Sequence, residues 1–277
     1  MEILLIVIIC FILLIAIYLY YENSTLKITK HVIKSGKIDN RFNDYKIAHI
    51  SDFHNVSIKR LHNKIVNTLK IEKPDIIVIT GDIVDDQPKK HTLSFVSRIK
   101  NISDIYYVSG NHEKKMGLYN ELKEDLINEN ISVLENQIID INKNGASIYL
   151  LGIIDPSFAS KAKDSNKIIN DLINRINYDK SKYNILLSHR PEAFDIYCDN
   201  KIDLVFTGHA HGGQMRVFGH GLFAPNQGIL PKYTSGVIRN ENTNMVVSRG
   251  IGNSKFPFRI NNRPELVIVT LEGDKNE

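Results

Sequence analysis

Cysteine is nearly absent from the chain: of 277 residues two are cysteine, Cys10 inside an apolar run and Cys198 alone in the remainder. That excludes an intramolecular disulfide in the soluble part, and it fits a reducing compartment. Internal repeats are missing, as is any basic stripe interleaved with aromatics, so no nucleic-acid partner is expected, and nothing in the sequence predicts a protein partner. No long Pro- or Ser-rich break follows residue 44, which argues for one domain from there on. With 43% hydrophobic and 24% charged residues, a chain of this length buries a sizeable core without disulfides.

What the chain has in excess stands near its start. Residues 3–21, ILLIVIICFILLIAIYLYY, carry no charge, and as a helix they roughly match a hydrocarbon core about 30 Å thick. Tyr18, Tyr20 and Tyr21 suit an interfacial belt. Because the run is apolar on every face, it lacks the one-sided stripe of a helix packed on a core, and residues 1–22 read as a transmembrane anchor. No Lys or Arg precedes the run and no small-residue cleavage pattern follows it, which argues against a cleaved signal peptide. Lys27, Lys30, Lys34 and Lys37 come after it, so the positive-inside rule predicts a single-pass protein of the cell membrane whose large domain is cytoplasmic. The net charge of +4 is partly juxtamembrane and suits anionic headgroups.

A polar juxtamembrane linker over 23–43, with room for an early strand, leads to a domain expected over 44–273. There, short apolar runs alternate with amphipathic segments. Ile58, Leu61, Ile65 and Leu69 share one helical face, as do Ile168, Leu172, Ile173 and Ile176. This alternation predicts an α/β fold. After His211 the pattern is mostly β, with a hairpin turning at Glu241 and Asn242 and a last strand in ELVIVTLEG.

Five strand candidates end on oxygen or nitrogen donors: KIAHISDFH on Asp52 and His54, DIIVITGD on Asp82, DIYYVSGNH on Asn111 and His112, NILLSH on His189, DLVFTGHAH on His209 and His211. Loops at the carboxyl ends of strands converge in α/β sheets, so these residues can form one cluster. Carboxylates and imidazoles without thiolates suit Mn, Fe or Zn rather than a structural cysteine zinc site. If the chain is extended at 209–211, His209 and His211 point the same way. Arg190, beside His189, is a candidate phosphate contact as well as a candidate surface residue. Asp155 reads as a strand-to-turn cap, His49, His62, His91 and His220 as packing or surface residues, and Arg249 and Arg259 as rim candidates.

The ordered set Asp52-x-His54, Gly81-Asp82-x-x-Asp85, Gly110-Asn111-His112-Glu113, His189, Gly208-His209-x-His211 resembles the calcineurin-like metallophosphoesterase superfamily. The segments after Gly212 look like a bacterial, often membrane-attached branch that includes phosphodiesterases related to UDP-2,3-diacylglucosamine hydrolases. The resemblance implies a two-sheet β-sandwich flanked by helices and two divalent metal ions. It further implies that Asp52, His54 and His211 hold one ion, that Asn111, His189 and His209 hold the other, and that Asp82 bridges them. His112 matches the catalytic histidine and Asp85 the carboxylate that orients it. Where the protein-phosphatase pattern continues with Arg-Gly after that aspartate, Asp86 and Gln87 stand here, which disfavours a phosphoprotein substrate. Two ions about 3.5–4 Å apart activate a shared water as hydroxide and neutralise phosphoryl oxygens during in-line attack. The expected activity is hydrolysis of a phosphodiester or pyrophosphate, with a lipid-linked phosphate ester as a candidate substrate; a phosphomonoesterase or a non-catalytic metal-binding scaffold are the alternatives.

Overall fold

The computed structural model describes residues 1–85, 89–159, 164–253 and 256–274. Helix α1 (Glu2–Ser24) leads into β1 (Lys27–Ser35), β2 (Tyr45–Ile50), α2 (Lys59–Glu72), β3 (Ile76–Thr80), α3 (Lys90–Ile99) and β4 (Asp104–Val108). Next come α4 (Asn111–Met116), α5 (Tyr119–Asn128), β5 (Ser132–Val133), β6 (Gln137–Lys143), β7 (Ala146–Gly152), α6 (Ser165–Arg175), β8 (Asn184–Leu187), α7 (Phe194–Asp199) and β9 (Leu204–Thr207). Two small hairpins follow, β10 (Arg216–Val217) with β11 (His220–Gly221) and β12 (Phe223–Ala224) with β13 (Gly228–Ile229). The chain closes with β14 (Gly236–Asn240), β15 (Thr243–Val247) and β16 (Glu265–Gly273).

Two six-stranded sheets form, ordered β1-β16-β2-β3-β4-β5 and β14-β15-β9-β8-β7-β6. Side-chain alternation along each strand decides what the faces meet. In β3, Ile76 and Val78 point into the space between the sheets, where they join Ile148, Leu150, Ile185, Leu187 and Phe206 of the second sheet. Ile77 and Ile79 point outward, against Leu61, Ile65 and Leu69 of α2 and Phe95 and Ile99 of α3. Strands buried on both faces read as unbroken apolar runs, which is why β3 is Ile-Ile-Val-Ile. On the far side, Ile169 and Ile173 of α6 and Tyr197 of α7 cover Leu186, Val205, Met245 and Val247. The result is a helix, sheet, sheet, helix sandwich. Truncating Ile65, fully buried between α2 and its sheet, would cost about 2–5 kcal/mol.

The polar connector supplies β1, which pairs in parallel with β16, so the sheet begins before residue 44, where the sequence places the start of the domain. Three of the four lysines after the apolar run pair locally: Lys30 with Glu72, Lys34 with Glu272 and Lys37 with Asp203. α1 is long and apolar enough to cross a membrane, and none of its apolar stretch is buried against the protein. Its C-terminal turns are held by polar contacts: Tyr18 with Asn261, Glu22 with Asn262, and Asn23 with Arg259.

Candidate metal centre

β2, β3 and β4 run parallel in one sheet, as do β7, β8 and β9 in the other, and the ends of strands from both sheets are bonded together. The Asp52 N–H donates to Gly81 O at 3.0 Å and the His54 N–H to Asp82 O at 3.0 Å. Across the sandwich, His189 Nδ1 lies 2.7 Å from Thr80 O. A carbonyl can only accept, so that nitrogen carries the proton and Nε2 faces the site. The His209 N–H reaches both oxygens of Asp52 at 3.1 Å. Gly208 makes this approach possible, because a Cβ there would lie 1.8 Å from Ser51 Oγ and 2.3 Å from Asp52 Oδ2.

Three groups of donors result. Asp52, His54 and His211 form the first: His211 Nε2 is 3.3 Å from Asp52 Oδ1 and 3.1 Å from His54 Nε2. Asp82, His189 and His209 form the second: His189 Nε2 is 3.2 Å from Asp82 Oδ2 and 3.1 Å from His209 Nδ1. In the third, His112 Nδ1 sits 2.5 Å from Asp85 Oδ1, with His54 Nδ1 3.8 Å from Asp85 Oδ2. Ring nitrogens at such spacing suit ligands about 2.0–2.1 Å from a shared cation. The first two groups are buried, and so is Asn111 Oδ1, which has no hydrogen-bond partner. A buried acceptor without a donor is costly, and a divalent ion would satisfy it. These residues therefore fit a metal pair.

Electrostatics agree with that fit. Burial lowers the pKa of His54 to about 4 and depresses those of His209 and His211 well below the usual histidine value, so the rings are neutral, the form that ligates. Burial also opposes charge on His189, but Asp82 and then Asp52 outweigh it and hold its pKa at about 10. Without metal, this ring keeps a proton where a cation would otherwise answer the carboxylates. For His112, burial works against the imidazolium, while the hydrogen bond to Asp85 and the charges of Asp82 and Asp85 raise its pKa overall.

Residues 45–213, which contain all three groups, match the family described as calcineurin-like phosphoesterase. The chain belongs to that family. It is a metallophosphoesterase, a hydrolase acting on phosphoric ester bonds, and its cofactor is a pair of divalent metal ions. It is similar to the metallophosphoesterase YkuE of Bacillus subtilis, at 27% identity over 92% of this chain and 88% of the relative. A Campylobacter jejuni metallophosphoesterase, Cj0846, is 30% identical over 95% of this chain and 69% of its own length. The phosphodiesterase YaeI of Escherichia coli is 27% identical over 82% of each.

Several details of this metallophosphoesterase differ from the sequence expectation. His209 and His211 do not sit on extended chain; their φ values are 64° and 47°, and the turn between them sends one ring to each of the two groups. Asp52, His54 and Asp82 share this left-handed backbone, with φ of 49°, 48° and 51°, a cost tolerated where surrounding structure enforces it. Arg190 is not on the surface. It is buried, paired through Nε and Nη2 with Asp155 at 2.6 and 2.9 Å, and its Nη1 lies 3.0 Å from His209 Nε2. Asp155 does cap, accepting the Ser157 N–H at 2.8 Å, and holds Arg190 as well. Arg259 does not line a rim but is buried among the carbonyls of Arg249, Gly252 and Asn262. Asp86 and Gln87 lie outside the described residues.

Two residues were given no role by the sequence: Glu113, named only as the last residue of the Gly110–Glu113 motif, and Asn262. Glu113, fully buried, accepts the N–H groups of Gly110, Asp82 and Ile83 at 2.8, 3.1 and 2.7 Å. Burial and the charge of Asp82 push its pKa up to about 7. An acid three positions after the glycine that precedes a helix is the sequence signal for such a role. Asn262 donates from Nδ2 to His211 O at 2.8 Å and to Gln214 O at 3.0 Å; nothing near it in the sequence announces this.

Proposed function

We propose that this metallophosphoesterase is a phosphodiesterase or pyrophosphatase anchored in the cell membrane by α1, with its catalytic domain on the cytoplasmic side and a lipid-linked phosphate as substrate, UDP-2,3-diacylglucosamine being one such compound. The observation that carries this reading is the connection between span and site: the Asn262 N–H donates to Glu22 Oε2 at 2.8 Å, and Asn262 Nδ2 donates to the carbonyl of His211. The last turn of the apolar helix is thereby one residue away from a metal ligand. A substrate confined to the membrane surface meets such a site at high effective concentration. The lysines after the span support the cytoplasmic placement.

Asp52, His54 and His211 would hold one ion and Asn111, His189 and His209 the other, with Asp82 between them. The mixed oxygen and imidazole donors suit manganese, iron or zinc. When bound, such a pair supplies an activated water and neutralises phosphoryl oxygens. The protein's own contribution is positional. Asp85 fixes Nδ1 of His112, which leaves Nε2 to give a proton to the departing oxygen. Asp155 neutralises Arg190 beside His209, an environment better suited to a singly charged diester than to a dianionic monoester.

Parallel assays of the full chain in detergent with Mn²⁺, on a chromogenic diester and the matching monoester, test the reading. Faster hydrolysis of the diester is the expected result. Preference for the monoester would refute the diesterase assignment, and no hydrolysis with any divalent ion would leave a metal-binding scaffold.

A further inference from the structure

Outside α1, eleven large apolar side chains are exposed among the described residues, and eight of them lie in just two loops, 217–230 and 256–258. Phe218, Ile229 and Leu230 are 97%, 82% and 70% exposed; Phe223, Phe256 and Phe258 are about half exposed. A soluble surface seldom concentrates apolar side chains in this way.

Neither loop hangs loose. The first is two hairpins, β10 with β11 and β12 with β13, joined where the Leu230 N–H donates to Leu222 O at 3.0 Å. Arg216, itself buried, braces the first hairpin by donating to Gly212 O at 2.6 Å, to Thr234 Oγ1 at 3.1 Å and to Gly219 O. Spending a buried guanidinium to hold up a hairpin whose tip is Phe218 is unfavourable for a protein that has no use for that tip.

Both loops are tied to the same part of α1. The Arg216 N–H donates to Ile260 O and Asn261 Nδ2 to Arg216 O, which binds the hairpin base to segment 259–263. That segment clasps the helix: Tyr18 with Asn261 at 3.0 Å, Tyr21 with Arg263 at 3.0 Å, and Asn23 Oδ1 with the Arg259 N–H at 3.0 Å. A span needs roughly 20 residues to cross a hydrocarbon core, so residues 3–21 are all required and the clasp at Tyr18 and Tyr21 lies within the interfacial layer. Loops clasped at that depth meet lipid, not bulk water. Their charge agrees: residues 215–235 and 249–264 contain no Asp or Glu, while Arg263 and Lys232 flank the apolar tips.

We propose that the two loops form an apolar collar beside α1 that dips into an anionic phospholipid surface and holds the metal-ligand loop at headgroup level. The proposal rests on the reading of α1 as a membrane span. The collar's residues play the part of an interfacial element, whose apolar face enters about 5–10 Å below the headgroups. A lipid-linked phosphate would then be met where it lies, with its acyl chains still among their neighbours.

The chain has no tryptophan, so a single Phe218→Trp substitution introduces the only indole. The full-length variant is reconstituted in vesicles of phosphatidylglycerol and phosphatidylethanolamine, with and without bromine on the acyl chains. Phe11→Trp, inside the span, and Ile71→Trp, exposed at the far end of α2, are measured alongside. The collar predicts that bromolipid removes most of the emission from Phe218→Trp and Phe11→Trp and spares Ile71→Trp. Quenching of Phe11→Trp without Phe218→Trp overturns the collar and leaves the anchor standing, and it would point to a protein partner for the patch. Quenching of neither overturns both. Should Phe218→Trp fail to fold, Ile229→Trp in the neighbouring hairpin gives the same reading.

Discussion

Oε2 of Glu113 accepts the backbone N–H of Asp82 at 3.1 Å, and Oε1 accepts that of the next residue, Ile83, at 2.7 Å. With the Gly110 N–H as a third donor, this carboxylate ties the end of β3 to the end of β4. It thereby fixes the backbone that presents Asp82 and Asn111. Glu113→Ala would strand buried donors, each costing on the order of 1–3 kcal/mol, and Glu113→Gln, which keeps one oxygen, should fall between it and the native protein. Urea unfolding in the presence of EDTA measures the effect apart from metal binding. An unchanged midpoint for Glu113→Ala would show that the carboxylate does not hold the strand ends.

Asn111 separates metal affinity from folding. Its Oδ1 is buried and has no hydrogen-bond partner, so Asn111→Ala removes no bond that supports the metal-free fold. Because the unpaired acceptor is itself costly, stability in EDTA should stay level or rise in the variant. Added Mn²⁺ stabilises a protein by an amount that grows with the logarithm of its affinity for the folded state, and this increment should shrink in the variant. Thermal melts with and without metal make the comparison, and equal increments would remove Asn111 from the ligand set.

Gly208 gives a steric test. A methyl there would overlap Ser51 Oγ and the carboxylate of Asp52, so Gly208→Ala must displace one or the other. Overpacking of this kind costs about 1–3 kcal/mol, and a shifted Asp52 should also lower the bound metal. Gly36→Ala is the control, since its methyl would come no closer than 4.0 Å to Asp274 and should change neither quantity. Elemental analysis after gel filtration and the melting temperature read the two effects. Full metal content in Gly208→Ala would mean that Asp52 is not held as described.

How much of this could be read beforehand follows from the range over which each feature acts. Asp52, Asp82 and His189 were legible because a donor at the end of an apolar strand is a local pattern, repeated across successive strands, and the amphipathic faces of α2 and α6 were legible for the same reason. Pairing of β1 with β16, whose residues are more than two hundred positions apart, leaves no local trace. Arg259 looked like a rim residue because a sequence records its charge and not the three carbonyls that surround it. For His209 and His211, spacing suggested a shared site but implied extended chain; the left-handed φ at both residues belongs to the packed state alone. The capping pattern announces the bond of Glu113 to the Gly110 N–H, but no residue pattern encodes its reach to the N–H groups of Asp82 and Ile83, or which carbonyls Asn262 meets.

The pairing of His112 with Asp85 carries the pH dependence. Burial alone would lower the pKa of His112, and the hydrogen bond to Asp85 with the nearby carboxylates reverses that, so the ring keeps its proton above its ordinary value near 6.5. If His112 protonates the leaving oxygen, the rate falls on the alkaline side as this proton is lost. Removing the partner charge in Asp85→Asn leaves burial less opposed, so the alkaline limb should move to lower pH while both metals remain bound. His112→Ala should also keep its metals, lose about 10²–10⁴-fold in turnover, and lose that limb altogether. Rate profiles on a diester whose leaving group needs a proton, measured with elemental analysis, check both variants. A limb that stays in place in Asp85→Asn, or near wild-type turnover in His112→Ala, would assign the proton transfer to another group.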